Sequence, residues 1–444
     1  MAALEPLDDA RGAGAGTGAG PGTGTISAEH WKVLSLSTLG GALEFYEFVV
    51  FLHMSPVISQ LFSASDVAPW LAQLQVLGIY AVGYLVRPLG GTVLAALGDR
   101  IGRKRLFGIT LLLMALGTLG IGVLPTYAQI GAAAPVLLLI CRTGQGLAMG
   151  GEFPAAASYV METVPENRIS LAIGLLTVGF GLGSLLAVGM ILLLSSHLPQ
   201  ADYLAWGWRV PFLAGGLFGL LSVHLRRSVK ESPVFVQMAR AAQSAQRLPF
   251  SALFTRYRRE LLVATGLALV SGGLIQAVQL YPVAYFQVEM QWPRALMSSA
   301  QMGLTASAMV FTVLTTAAAD RFGSTRVITV FAVLNIIGTV WFYAQVTPST
   351  VFWGWSALGA LNAGLVPVVL APMARVFPAP LRITGIAASY NLAQAIAGGA
   401  LPVLMGSLSH HWPSTMWGVP AALCLAAIVC APMAQRLQKP VAPT

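Results

Sequence analysis

The sequence predicts an all-α polytopic membrane protein with twelve membrane-spanning helices. Three observations lead there. Only 9% of the 444 residues are charged and 56% are hydrophobic, whereas soluble domains carry about 25% charged residues. A spanning helix takes roughly 20 apolar residues, so the apolar supply serves about twelve of them. The apolar residues also come in unbroken runs such as Ile109 to Met114, where a membrane β-barrel would alternate apolar and polar positions. A soluble enzyme on a single anchor, a fibrous chain and a disordered chain are excluded by the same arithmetic.

From the N-terminus, residues 1–30 include AGAGTGAGPGTGT. This stretch is Gly-rich and lacks the basic start and apolar centre of a secretion signal, so it reads as a disordered cytoplasmic tail. Apolar runs follow at 33–56, 71–97, 105–124, 135–159, 169–195 and 207–226. The longest polar connection, 227–259, contains Glu231-Ser232-Pro233 and a candidate surface helix over 235–246. Six further runs lie at 260–288, 296–318, 326–346, 350–374, 383–408 and 414–435, and 436–444 form a short tail. The chain therefore divides into bundles at 31–226 and 260–435, joined by the loop.

Twelve spans put both termini on one side, and the basic residues say which. Of the 25 lysines and arginines, all but Arg87, Arg142, Arg209 and Arg294 fall in the tails or in loops on one face. By the positive-inside rule that face is cytoplasmic. The formal charge of +9 is thus an orientation signal toward anionic headgroups. Nucleic acid is not an expected partner, because no soluble stretch is long enough to carry a basic face. Cys141, Cys424 and Cys430 lie in apolar runs without CxxC spacing, so neither a disulfide frame nor a metal site is expected. His53, His197, His410 and His411 sit near the expected outer ends of spans and read as surface histidines. No P-loop and no hydrolase constellation is present, so neither ATP-driven transport nor catalysis is expected.

The halves echo one another. Gly98-Asp99-Arg100-Ile101-Gly102-Arg103-Lys104-Arg105 follows span two, and Asp320-Arg321-Phe322-Gly323-Ser324-Thr325-Arg326 follows span eight. Glu162-Thr163-Val164-Pro165 with Arg168 follows span four, and Arg375-Val376-Phe377-Pro378 with Arg382 follows span ten. Such repeats mark a duplicated six-helix unit. The loop after span two resembles the GxxxDRxGRK signature of the major facilitator superfamily through Asp99, Arg100, Gly102, Arg103 and Lys104, with Ala95 in place of the leading glycine. A narrower resemblance is to the metabolite:proton symporter family of that superfamily. It rests on Ala42-Leu43-Glu44-Phe45-Tyr46-Glu47-Phe48, Arg87-Pro88-Leu89-Gly90-Gly91, Arg142 with Gln145-Gly146 and Gly150-Gly151-Glu152, Trp206-Gly207-Trp208-Arg209, and Tyr390-Asn391-Leu392-Ala393. Two positions depart from its pattern. Glu47 replaces an aspartate, and Arg375 replaces an acid in the second half's gating network. Span five carries Gly174, Gly179, Gly181 and Gly183 without the Gly-Pro pair of drug antiporters.

Charges inside a bilayer are costly and are therefore candidates for function. Glu44 and Glu47 share a helix face. At 1.5 Å per residue, Glu47 lies about 12 Å and Arg142 about 10 Å below the outer edge, so the two are level. Burial favours the neutral carboxyl and a nearby guanidinium the charged one. Glu44, Glu47 and Arg142 are the expected proton-coupling group, against the alternative of a permanent packing ion pair. Arg87, Arg142 and Arg209, with Gln276, Gln279, Tyr281, Asn391 and Gln394, are the candidate substrate contacts, since guanidinium binds carboxylate bidentately. Arg87 could instead satisfy carbonyls freed by Pro88, and Arg209 could instead be an interfacial anchor. Tyr285, Asn362 and Tyr390 are further polar candidates. By resemblance to the superfamily's inner gate, Asp99, Arg100, Arg103, Glu152, Glu162, Arg168, Asp320 and Arg321 are the expected cytoplasmic gate.

The resemblance implies a secondary active transporter working by alternating access. It would take up a small organic acid or zwitterion with protons, as a monomer in a bacterial inner membrane, driven by the proton gradient and without a cofactor or metal. Proton-coupled antiport exporting a metabolite or drug, and a non-transporting sensor of the same fold, are the alternatives.

Overall fold

The computed structural model describes residues 28–90, 103–150, 153–154, 157, 160, 164–228, 251–378, 381–412 and 416–438. Asp99, Arg100, Glu152 and Glu162, the first tail and most of the central loop lie outside them. The described residues are helical, with no strand among them.

Span one is Ala28–Phe62, span two Pro69–Gly90, span three Arg103–Val123 and span four begins as Ala133–Ala148. Spans five and six are Ile169–His197 and Arg209–Ser228. In the second half, span seven is Arg258–Val288, span eight Arg294–Phe322 and span nine Ser324–Gln345. Span ten is split into Val351–Asn362 and Leu370–Arg375. Span eleven runs from Arg382–Gln394 through Ala395–Ala400 to Leu401–His411, and span twelve is Gly418–Leu437. Within the first half, span one packs on five, two on four and three on six. Within the second, seven packs on eleven and twelve, and eight on ten. Two meets eleven, five meets eight and one meets seven across the halves.

In the apolar windows of spans one and seven, 83% and 72% of residues are buried, against 33% in spans six, eight and nine. Spans one and seven are therefore inner helices. The outer ones present large apolar side chains outward, among them Leu217, Leu314, Ile337 and Trp341, as a lipid-facing surface requires. Span five uses its glycines for close approach. A Cβ on Gly183 would strike the backbone of Ala42 and Tyr46, and one on Gly179 the backbone of Thr38, so the four-residue glycine spacing seats span five on span one.

Interior prolines explain where the helices depart from regularity. A proline has no N–H, so it frees the carbonyl four residues back, and in an apolar bundle that carbonyl needs another donor. Pro56 frees Leu52, whose carbonyl accepts from the Ser55 hydroxyl at 2.7 Å. Pro282 frees Val278, which accepts from the Trp355 indole at 2.7 Å, and the preceding turn widens to a π-helix over Ile275–Leu280. Pro367 frees Ala363, which accepts from the Thr315 hydroxyl at 2.6 Å. Span ten was expected to be continuous over 350–374, but here it breaks. The turn around Gly364 and Pro367 interrupts it.

The reading of the histidines as lone surface groups is corrected at two positions. His53 is not at a surface but 1% exposed. Span one extends six residues past the expected end at 56, which keeps residue 53 inside the bundle. His410 is not a lone surface histidine either. It stacks on Trp70 with ring centroids 4.3 Å apart, and its Nδ1 lies 3.5 Å from a Glu289 carboxylate oxygen.

Candidate functional site

The buried polar centre is built by spans one to four and closed by spans seven and eleven. Span two presents Tyr80, Tyr84 and Arg87 at helical spacing, all buried. Span one supplies Glu47 and Phe48, and span four supplies Arg142 and Gln145. The approach of spans two and four depends on small residues. A Cβ on Gly146 would collide with the Gly83 carbonyl.

Arg142 is 1% exposed. Its Nη1 donates to Gln145 Oε1 at 2.9 Å. Among the described residues its Nε and Nη2 have no hydrogen-bond partner. Three rings enclose the guanidinium: Phe51, Phe48 and Tyr80, with centroids at 4.2, 5.1 and 5.2 Å. Such cation–π contacts, worth about 2 kcal/mol each when desolvated, offset part of the cost of burying the charge. Phe48 also carries the second guanidinium, Arg87, at 4.6 Å, and Tyr84 stacks on Arg87 at 4.4 Å. Two cations thus share one aromatic ring in a low-dielectric interior, where opposite charge is strongly favoured.

Glu47 and Arg142 are brought together, but through an intermediary. Gln145 Nε2 donates to Glu47 Oε2 at 3.2 Å and to the Thr118 hydroxyl at 2.7 Å, while its Oε1 takes Arg142. The expected ion pair is therefore a carboxylate–amide–guanidinium chain. Glu44 is on the same helix, and its side chain lies outside the described residues, as does that of Arg103.

Beside this chain lies a cavity of about 20 Å³, lined by residues that include Phe48, Tyr84, Arg87, Gln276, Tyr390 and Gln394. That volume holds about one water, so the halves are closed on the centre. Gln276 bridges them by donating from Nε2 to the hydroxyls of Tyr80 at 3.1 Å and Tyr84 at 3.3 Å. Asn391 Nδ2 donates to the Gly150 carbonyl at 2.7 Å, also across the halves. A larger cavity of about 430 Å³ lies at the outer ends, between Ser59, Gln287, Trp292 and Arg294.

The other candidates are placed elsewhere. Arg209 Nη1 donates to the carbonyls of Gly122 at 2.9 Å and Leu124 at 2.7 Å. These groups at the end of span three lack intrahelical donors, so Arg209 sits at the outer rim and not in the central cavity. The Tyr281 hydroxyl bonds Ser409 at 2.6 Å within the second half. Gln279 is half-buried and does not line the central cavity. Asn362 turns back to the Leu358 carbonyl of its own helix. At the span ends that the basic loops assign to the cytoplasm, Asp320 accepts from the backbone N–H groups of Ser170 and Leu171, both at 2.9 Å. Arg321 is exposed and Arg168 half-buried. Arg375, the departure from the family pattern, reaches across to the Glu166 carbonyl at 3.1 Å.

The family model described as Major Facilitator Superfamily matches residues 36–318. The chain belongs to the major facilitator superfamily. Among curated proteins, the shikimate transporter of Escherichia coli K12 is 29% identical, with 94% of this chain and 96% of that protein covered. The proline/betaine transporter of the same strain is 27% identical over 83% of this chain and 75% of that one. Among solved structures, a partially occluded inward-open form of the xylose transporter XylE from E. coli superposes with a TM-score of 0.71 at 17% identity, covering 91% and 97% of the two chains. This major facilitator protein therefore has that fold, and the relatives identify it as a membrane transporter.

Sequence reasoning missed Phe48, Tyr80, Tyr84 and Gln145 as parts of the site. A signal was present in span two. Tyr80, Tyr84 and Arg87 repeat at four and three residues, which lines one helix face with polar tips. Thr118 gave no such signal, being an isolated threonine in an apolar helix.

Proposed function

We propose that this protein imports a small carboxylate-bearing metabolite, an organic acid or a zwitterion, together with protons by alternating access. The observation that carries the reading is the open edge of Arg142. Nε and Nη2 are adjacent donors on one side of the guanidinium, the geometry that grips a carboxylate bidentately. Both are buried and unpartnered among the described residues, and a buried donor left unmade costs about 1–3 kcal/mol. A carboxylate satisfies both at once. The printed substrates of the relatives, shikimate, proline and betaine, all carry that group. Arg87 lines the cavity and supplies a second cation to the substrate.

Glu47 is the proton site in this reading. Ionised, it holds the Gln145 amide and through it Arg142; protonated, it loosens that hold. The proton gradient is the driving force, and no cofactor is needed. The distribution of lysine and arginine supports a cytoplasmic-membrane location with both termini inside.

The test is uptake of radiolabelled carboxylates and zwitterions into proteoliposomes with an acid exterior. Accumulation should require the pH gradient and collapse with a protonophore. Accumulation indifferent to that gradient would sink the symport reading, and interior acidification only as substrate leaves would indicate antiport. Arg142→Lys replaces a planar fork by a point charge, so KM should rise on the order of tenfold or more.

A further inference from the structure

We infer that Gln145 is a positioning residue whose side-chain amide acts as a reversible switch between Glu47 and Arg142. The inference rests on the proton-coupled reading above and adds the part that connects proton to substrate. In this structure the amide is oriented by three partners on three different groups. Its Nε2 donates to Glu47 Oε2 at 3.2 Å and to Thr118 Oγ1 at 2.7 Å, and its Oε1 accepts from Arg142 Nη1 at 2.9 Å. Thr118 in turn donates to the Met114 carbonyl at 3.0 Å, which leaves its oxygen as the acceptor that Gln145 uses. All four side chains are buried, so water does not compete for these positions. Gln145 is the hydrogen-bond partner that Arg142 has among the described residues.

An amide has two faces of opposite character, a donor and an acceptor. An ionised Glu47 only accepts, so the NH₂ must face it and the carbonyl must face Arg142. A protonated Glu47 gains an O–H that needs an acceptor. Rotating the amide by about 180° about its terminal torsion, which is a two-fold rotor, offers the carbonyl to Glu47 and turns the NH₂ toward Arg142. Thr118 can then donate to the same carbonyl. Arg142 Nη1 now faces a donor and loses its bond to Gln145, which frees the guanidinium to follow a substrate carboxylate. Nothing is made or broken covalently. One proton is added at Glu47, and its consequence is passed on as a change in hydrogen-bond polarity.

Arg142 on span four and Tyr46 beside it on span one interact electrostatically with Glu47. Tyr80, Tyr84 and Arg87 of span two do so with Arg142. Glu44 lies three residues before Glu47 on the same helix. The sequence between 170 and 196 in span five, and that between 106 and 123 in span three, holds no charged residue. Among the described residues, Gln145 is the side chain that bonds both Glu47 and Arg142.

The test compares Gln145→Met, which keeps length and removes both faces of the amide, with Thr118→Val, which leaves the amide and removes its anchor. Substrate exchange is measured in proteoliposomes from pH 5 to 8, alongside the native protein and Glu47→Gln. In Gln145→Met the guanidinium is no longer held, so KM should stay at all pH values near the value that the native protein reaches at pH 5, and should no longer vary with pH. Thr118→Val should retain a pH dependence with a displaced midpoint. A residue that only packs would change rate or stability while the pH profile of KM stayed native, and that result in both variants overturns the inference. If Glu47→Gln keeps the native pH profile, the proton-coupled reading itself fails, and the inference with it.

Discussion

Gly83 illustrates how much one missing side chain can matter at this site. A Cβ placed there would stand 3.6 Å from both Nε and Nη2 of Arg142, against the edge assigned to the substrate carboxylate. That distance is ordinary contact, so Gly83→Ala should fold and insert normally. The methyl would occupy the place of a carboxylate oxygen. Substrate KM should rise on the order of tenfold, as for loss of a charge-assisted pair, with thermal stability in detergent close to native. An unchanged KM would show that the carboxylate does not approach from span two. At this scale the sequence was informative about charge and silent about neutral groups. Glu47 and Arg142 stood out because an ionised residue in an apolar helix demands an explanation. Gln145 did not, because a glutamine in a membrane helix is more often a helix–helix hydrogen bond, and only the approach of spans one, three and four shows which groups it joins.

Two irregular turns of the second half follow from proline, at Pro282 and Pro367, and each brings a donor from a neighbouring helix. Trp355 is the clearest case. It is fully buried, and its indole N–H satisfies the Val278 carbonyl that Pro282 left open. Trp355→Phe keeps the aromatic bulk and removes that donor. The carbonyl would then be unpaired in an apolar interior, a loss of about 1–3 kcal/mol. A lowered melting temperature in detergent should follow, and Pro282→Ala in the same background should recover part of it by restoring the backbone donor. No recovery would mean that the indole matters through packing alone. The positions of the helices were legible from apolar runs to within a few residues, as for span nine. The break in span ten was not, because hydropathy is blind to it: Gly364 and Pro367 sit among leucines and valines. A proline read with its orphaned carbonyl would have marked the place.

The two halves are held together on both faces. On the side that the basic residues assign to the cytoplasm, Asp320 from span eight caps the start of span five through Ser170 and Leu171, and Arg375 adds a bond to the Glu166 carbonyl. A carboxylate at a helix N-terminus meets both unpaired N–H groups and the positive end of the dipole. On the outer side, Trp70 of span two stacks on His410 of span eleven, and Arg294 of span eight lies over Tyr203 at 4.4 Å. Alternating access requires one set to release while the other holds. Under the proposed alternating access the two sets would be opposing terms in one equilibrium, and weakening either should shift the population in a known direction. Asp320→Ala removes two charge-assisted bonds worth about 1.5–3 kcal/mol each. It should raise the inward-open fraction by on the order of tenfold or more. Spin labels on Asn167→Cys and Phe322→Cys, with the native cysteines replaced, report the separation of spans five and eight at that face. Asp320→Ala should lengthen it, whereas Trp70→Ala, by releasing the outer face, should leave it short or enrich the shortest distances. The reading of the inner contact as a gate is wrong if Asp320→Ala leaves the distance distribution unchanged. If Trp70→Ala also lengthens it, both contacts are simple packing, and the halves loosen without alternating.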